Sequence, residues 1–151
     1  MPTTTILRPA ARETTAPPAH HLLVIANETL AGDGLVDAVE QLVARDGEVL
    51  VVCPVLVGRS RYWTSDLSAG IAEARTRLLG SLESLRARSI ASEGLVGDGH
   101  PLLAIEDALR SYPCDRILIV THPPARSVWL ERRLIARARA RFALPISHAI
   151  G

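Results

Sequence analysis

The sequence predicts an α/β fold in which helices cover both faces of a five-stranded, mostly parallel sheet. Short apolar runs, typical of strands buried on both faces, alternate along the chain with amphipathic segments of helical period. The 151 residues suit one domain, and a composition with 48% hydrophobic and 3% aromatic residues predicts an aliphatic core. Strands that alternate with helices imply right-handed crossovers, and therefore a three-layer α/β/α arrangement.

The strands are predicted from apolar runs that follow an N-terminal segment of different composition. Residues 1–20 are rich in Thr, Pro and Ala without a regular period, and we expect a flexible tail there, followed by one domain over residues 21–151. Within the domain, five segments have the composition of strands, the third being the weakest: 22–26, 48–54, 90–96, 117–121 and 144–150.

Four helices are predicted between these strands from apolar residues at three- and four-residue steps. The first is capped by Asp33 and is ended by Asp46 and Gly47. The second opens at Asp66. The third begins with Pro101, a residue type that suits the first turn of a helix, and the fourth covers residues from about 127 to 141.

Charge and composition argue against several classes of function. All 17 basic residues are Arg and 16 acidic residues oppose them, so the net charge of +1 disfavours a globally basic nucleic-acid binder. The apolar runs are far shorter than the roughly 20 residues of a membrane span, and the N-terminal segment lacks the apolar core of a signal peptide. We therefore expect a cytoplasmic protein without membrane or nucleic-acid partners, with Cys53 and Cys114 as free thiols.

The predicted architecture nominates a ligand site. In open parallel sheets, ligands bind beyond the carboxyl ends of the strands, where the strand order reverses. The loops after the first four strands therefore supply the candidate ligand-binding residues: Ala26, Asn27, Thr29, Val52, Cys53, Gly97, Asp98, Gly99, Thr121, His122, Arg126 and Ser127. The sequence has no nucleophile elbow, no phosphate loop with Lys and no metal-type spacing of His and Cys, so we expect neither an enzyme nor a metal.

Three of these candidates have two interpretations each. Asn27 orients a ligand or forms a local turn with its own backbone. Asp98 faces the ligand crevice, or it belongs to a turn that caps the following helix. His122 contacts a ligand, or it fixes the conformation of its own loop.

From about His21 to Ile150 the chain resembles the universal stress protein family. The resemblance is carried by the opening strand, by Gly97-Asp98-Gly99 before a helix, and by the segments 115–122 and 144–148. It implies an adenine-nucleotide alpha-hydrolase-like domain with strand order 3-2-1-4-5. It also implies a homodimer formed through the C-terminal edge strand, and a stress-response or signalling role.

The chain departs from the residues that bind ATP in that family. Nucleotide-binding members have an Asp at the end of the first strand, where this chain has Asn27. Their phosphate motif is Gly, two residues, Gly, nine residues, Gly and then Ser or Thr; the corresponding residues here are Pro123, Arg126, Ala136 and Arg137. Pro123 has no N–H group for a phosphate, and Arg126 adds bulk. We therefore expect the Arg126 region to occlude or narrow the phosphate position.

Three functions follow from this pattern. The favoured one is a non-enzymatic stress-response or signalling module that has lost the family's ATP motif. The second is a protein that binds a nucleotide, ATP or AMP, or another small anion through Arg126, Thr121 and the loop 97–99. The third is a small hydrolase or transferase that acts on a phosphorylated substrate.

Arginines are concentrated in the last predicted helix. Arg133, Arg137 and Arg141 recur every four residues and form one positive stripe. The stripe meets an acidic partner, a phosphate-bearing ligand or a nucleic-acid backbone, or it is a solvated face near the helix C-terminus. Trp129 on the same helix packs in the core or covers a pocket or an interface, and the core role is favoured. The charges of the second helix, Arg77 among them, are interpreted as ordinary solvated charges.

Overall fold

Five strands and four helices alternate along the chain in the computed structural model, which describes residues 17–26, 33–55, 64–97, 99–121 and 128–150. The strands are β1 (Ala19–Ala26), β2 (Val43–Pro54), β3 (Ala91–Gly97), β4 (Arg116–Thr121) and β5 (Ile146–Ile150). The helices are α1 (Asp33–Leu42), α2 (Thr64–Ala87), α3 (Pro101–Ser111) and α4 (Val128–Arg141).

All neighbouring strands of the sheet run parallel, in the order β3-β2-β1-β4-β5. The predicted fold class and strand order are confirmed. Ile25 of β1 pairs with Val52 of β2 on one side and with Ile119 of β4 on the other. The carboxyl ends of these three strands therefore meet at one edge, and the strand order reverses between β1 and β4.

Each face of the sheet is covered by its own pair of helices. Val24 and Val51 point to the face covered by α1 and α2, and Ile25 and Ile119 point to the face covered by α3 and α4. All four side chains have no exposed surface. The apolar runs of β1, β2 and β4 are buried on both faces because successive strand residues alternate between the two helix layers.

The weak pattern of the third strand has a structural reason. β3 lies at one edge of the sheet, and most of its residues are exposed. Leu103 of α3 is also exposed, with 41% of its surface accessible. Ala104, Ile105 and Ala108 form the buried face of α3.

The first predicted helix ends earlier than its sequence indicates. α1 stops at Leu42, and β2 already begins at Val43, which pairs with Ala19 at the start of β1. A Cβ atom on Gly47 would lie 2.8 Å from the carbonyl oxygen of Ala19 and 2.7 Å from Cγ2 of Val43. Gly47 therefore permits a close approach within the sheet, and the prediction that it ends α1 is wrong.

The amino-terminal ends of β1 and β4 are joined by a side chain. Oδ2 of Asp115 accepts a hydrogen bond from the backbone N–H of His20 at 2.9 Å, and Oδ1 accepts one from His21 at 2.8 Å. The N–H of Asp115 donates in turn to the carbonyl oxygen of His21 at 3.0 Å. β1 begins at Ala19, close to the predicted end of the tail at residue 20, and residues 1–16 lie outside the described part of the chain.

Cys53 and Cys114 are both free thiols, the first buried and the second half-buried. Within the described residues, none of the helices combines the length and the apolar character that a bilayer crossing requires.

Candidate functional site

Half of the predicted ligand-binding residues belong to the described part of the chain. These are Ala26, Val52, Cys53, Gly97, Gly99 and Thr121. The other half lie outside the described residues: Asn27, Thr29, Asp98, His122, Arg126 and Ser127. The predicted narrowing of the phosphate position by the Arg126 region also lies there.

The structure brings the described candidates to the carboxyl edge of the sheet, but it buries the side chains of four of them. Ala26 is 2% exposed, and Val52, Cys53 and Thr121 have no exposed surface. Ala26 and Cys53 pack in the core beneath α1 and α2, and Val52 packs in the core beneath α3 and α4. A ligand at this edge would therefore meet backbone atoms of these residues rather than their side chains.

At Gly97 and Gly99, a side chain would collide with neighbouring atoms. A Cβ atom on Gly97 would lie 2.7 Å from Cγ1 of Val52 and 3.1 Å from Cβ of Ala104 in α3. A Cβ atom on Gly99 would lie 2.7 Å from the carbonyl oxygen of Val55. The N–H of Val55 also donates to the carbonyl oxygen of Gly97 at 3.1 Å. The two glycines let the start of α3 and the end of β2 approach closely.

A hydroxyl at the end of β4 meets an imidazole in the middle of β5. Oγ1 of Thr121 lies 2.7 Å from Nε2 of His148. Strand alternation with Ile119 and Ile146 places both residues on the face covered by α3 and α4. Burial lowers the pKa of His148, and the positive charge of Arg139 lowers it further. Because Thr121 is fully buried, the pair lacks the access to a substrate that a nucleophile and its base require.

An arginine of α2 reaches the carboxyl end of β2. Nη2 of Arg77 donates to the carbonyl oxygen of Pro54 at 3.2 Å, and Nη1 is buried without a hydrogen-bond partner among the described residues. The adjacent thiol of Cys53 is neutral, because burial raises its pKa to about 11 against the opposing effect of the Arg77 charge. The interpretation of Arg77 as an ordinary solvated charge is wrong.

Comparison with a solved structure then decides the type of fold. The chain is similar to the structure of a universal stress protein from Archaeoglobus fulgidus, with a TM-score of 0.58 and 21% sequence identity. The similarity covers 85% of this chain and 93% of that chain. This is a universal stress protein fold. No protein-family model and no curated protein matches the chain.

Two residues of this universal stress protein fold were not among the predicted candidates. His148 lies in the closing strand, where alternation with Ile146 places it on an inner face, and this alternation was the available signal. Arg77 lies 23 positions from its partner Pro54, and the sequence around either residue does not predict a contact with the other. Both residues touch the carboxyl edge only because distant elements pack together.

The arginine stripe of α4 is an exposed face in this universal stress protein fold. Arg133, Arg137 and Arg141 are exposed, while Ile135 and Ala138 are buried beneath them. The same helix is tied to α3, because Nη2 of Arg141 donates to Oε2 of Glu106 at 2.6 Å. The side chain of Trp129 lies outside the part that the structure describes.

Proposed function

We propose that the protein is a non-enzymatic stress-response or signalling module of the universal stress protein type, acting in the cytoplasm. The proposal is supported by the fold, whose similarity covers 93% of the universal stress protein from Archaeoglobus fulgidus. At 21% identity that similarity concerns the fold alone, so the functional step rests on the residues of the carboxyl edge.

The burial of the strand ends carries the proposal. Ala26, Cys53 and Thr121 end or nearly end three adjacent strands, and each is buried almost completely. The hydroxyl of Thr121, the first residue of the stretch that leads to the family's phosphate motif, is bonded to His148. This arrangement, together with Pro123 and the other replacements in the motif, argues against ATP binding of the family's usual kind and against turnover.

A homodimer through β5 belongs to the same proposal. β5 pairs with β4 on one side, and in the described sheet it has no strand on the other. Edge strands of this kind pair with a second copy across a two-fold axis and so satisfy their free backbone groups. Light scattering of the purified protein should give about twice the chain mass of 16.3 kDa.

The ATP component of the proposal is tested on protein purified without added nucleotide. Mass spectrometry of the denatured sample should detect no stoichiometric ATP, ADP or AMP, and incubation with magnesium ATP should release no phosphate. In calorimetry, ATP should bind no more tightly than inorganic pyrophosphate. Nucleotide in the purified sample, or an affinity that depends on the adenosine group, would contradict the proposal.

The stress component is tested in the cell that produces the protein. A deletion strain should survive starvation, heat or oxidants less well than its parent, and a copy of the gene should restore survival. Equal survival of both strains under all three conditions would argue against a stress role while leaving a signalling role to be tested by partner capture.

A second candidate function is the binding of a small anion as a regulatory ligand. The observation that favours it is Nη1 of Arg77, a buried cationic donor without a hydrogen-bond partner in the described residues. Such donors are uncommon in folded proteins, and a bound anion is one way in which they are satisfied.

A further inference from the structure

The side of α2 that faces α1 is identified by its ion pairs. Nη1 of Arg88, just beyond the end of α2, donates to Oδ1 of Asp37 at 2.8 Å and to Oε1 of Glu40 at 3.1 Å, both in α1. Arg77 precedes Arg88 by three turns of helix, since a turn contains about 3.6 residues. Arg77 therefore lies on the same side of α2, toward α1.

The contact of Arg77 with β2 shows at which end of the strands the guanidinium lies. Nη2 bonds to the carbonyl oxygen of Pro54, the last residue of that strand. β2 neighbours β1, whose other neighbour is β4 across the reversal of strand order. The guanidinium thus lies at the carboxyl edge, one strand away from the reversal where doubly wound sheets bind their ligands.

Of the two terminal nitrogens of the guanidinium, Nη2 donates to Pro54, whereas Nη1 is buried without an acceptor in the described part of the chain. Nη1 has no hydrogen-bond partner among the described residues, and none of the described acidic side chains forms an ion pair with Arg77. The side chain of Arg77 is half-buried as a whole, but a buried donor that lacks an acceptor destabilises the fold, and a bound anion is one way to satisfy it. The neighbouring thiol of Cys53 is neutral and does not supply the missing negative charge.

We propose that Arg77 binds the phosphate group of a small ligand at the carboxyl edge between α1 and α2. Nη1 is buried before the ligand arrives, so binding displaces the groups that cover it; Nη1 then donates to a phosphate oxygen while Nη2 remains on the carbonyl oxygen of Pro54 and holds the guanidinium in position. This inference rests on the second candidate function, the binding of a small anion, and places that anion at the carboxyl edge. It differs from the family's phosphate motif, because Arg77 belongs to α2 and not to the segment between β4 and α4.

The test measures binding of inorganic pyrophosphate by calorimetry at constant ionic strength. The wild-type protein should bind one pyrophosphate per chain, and Arg77→Gln should weaken binding by about tenfold, the loss expected for a charged hydrogen bond. Arg75→Gln is the matched control, because Arg75 is exposed on the same helix. Arg137→Gln tests the exposed stripe of α4. Both controls should keep the wild-type affinity within about twofold.

Several results would overturn the inference. These are the absence of saturable binding at millimolar pyrophosphate, equal affinity of wild type and Arg77→Gln, and a loss of binding in Arg137→Gln as large as in Arg77→Gln. Copurified ATP together with unchanged affinity in Arg77→Gln would overturn both this inference and the proposed function. Lack of pyrophosphate binding in an otherwise empty dimer would overturn this inference alone.

The inference can be tested even if Arg77→Gln fails to fold. Circular dichroism first establishes whether Arg77→Gln is folded, and Arg77→Lys provides a second variant that keeps the charge but removes the planar fork. Binding is also measured directly on the wild-type protein. The guanidinium N–H signal of Arg77 in nitrogen-15 NMR should shift and saturate as pyrophosphate is added. An unchanged signal would overturn the inference.

Discussion

Thr121 and His148 join the last residue of β4 to the edge strand β5 through a 2.7 Å hydrogen bond between Oγ1 and Nε2. Because the imidazole is half-buried and Arg139 adds positive charge near it, the protonated form of His148 is disfavoured. The bond therefore stabilises the carboxyl edge with two neutral groups, and its strength depends on pH.

The stability of the protein should fall as the pH drops through the titration of His148. The folded-state pKa of His148 is lowered below 6.5, so the unfolded chain binds a proton first and stability is lost from about pH 6.5 down to the folded-state pKa. Urea unfolding between pH 8 and pH 5, values chosen to bracket the ordinary histidine pKa of about 6.5, measures this loss. His148→Gln should remove it, and parallel pH profiles for the two proteins would contradict the prediction.

Replacing Gly97 by Ala should destabilise the protein by about 1–3 kcal/mol, because the added methyl group would overlap Val52 and press on α3 at Ala104. Gly80→Ala is the matched control, since a Cβ atom there meets nothing within 4 Å and Gly80 lies inside α2. The control should stabilise the protein by about 0.5–1 kcal/mol. Thermal and urea unfolding measure both changes, and equal effects of the two variants would refute the packing role of Gly97.

Replacing Asp115 by Asn should cost about 1 kcal/mol, because one of the two N–H groups at the start of β1 loses its carboxylate acceptor. Partial burial alone would raise the pKa of Asp115, but the N–H groups of His20 and His21 outweigh it and hold the pKa below 3.8. The carboxylate therefore contributes its stability above the unfolded-state pKa, and this contribution is lost as the pH falls through the folded-state pKa.

The exposed residue Asp107 provides the control for Asp115. Its carboxylate lies 3.6 Å from Arg110 one turn along α3, an arrangement worth little in water. Asp107→Asn should change the free energy of unfolding by less than about 0.5 kcal/mol. A similar cost for both variants in urea titrations would mean that the contact between Asp115 and β1 contributes no more than a surface ion pair.

Both thiols should react slowly with a thiol reagent in the folded protein. Burial raises the pKa of Cys53 to about 11, and burial with the nearby Asp115 charge raises that of Cys114 to about 11. Compared with a thiol at its ordinary value of 9.0, the thiolate fraction at neutral pH falls about a hundredfold. Absorbance assays in buffer and in urea measure the difference, and Cys53→Ser isolates Cys114. A rapid reaction of that variant in buffer would contradict the prediction for Cys114.

The fold was predictable because its strands are local apolar runs. The segment 117–121, buried on both faces, coincides with β4 apart from one residue, and the strand order implied by the resemblance agrees with the structure. The end of α1 was not predictable from the sequence around it. Val43 begins β2 instead of continuing the helix, because it pairs with Ala19 at the start of β1, 24 positions earlier in the chain. Local propensity carries no information about such a pairing.

The candidate site was predictable as a location but less so in its chemistry. The rule for parallel sheets selected the edge at which Ala26, Cys53 and Thr121 end their strands, yet their side chains are buried. Arg77 and His148 contribute the polar groups, and each does so through a contact with a residue more than 20 positions away. Only the packing of whole elements brings these partners together.

The pairing of β1 with β4 has a consequence for the synthesis of the protein. β1 is made early, but the contact between His21 and Asp115 spans 94 positions. In a nascent chain, the edge of β1 that pairs with β4 therefore stays unpaired until most of the domain has been translated. Pairings of such long range also slow folding of the complete chain. The edge of β1 that pairs with β4 in the folded protein is therefore without its partner while β2 and β3 are being made.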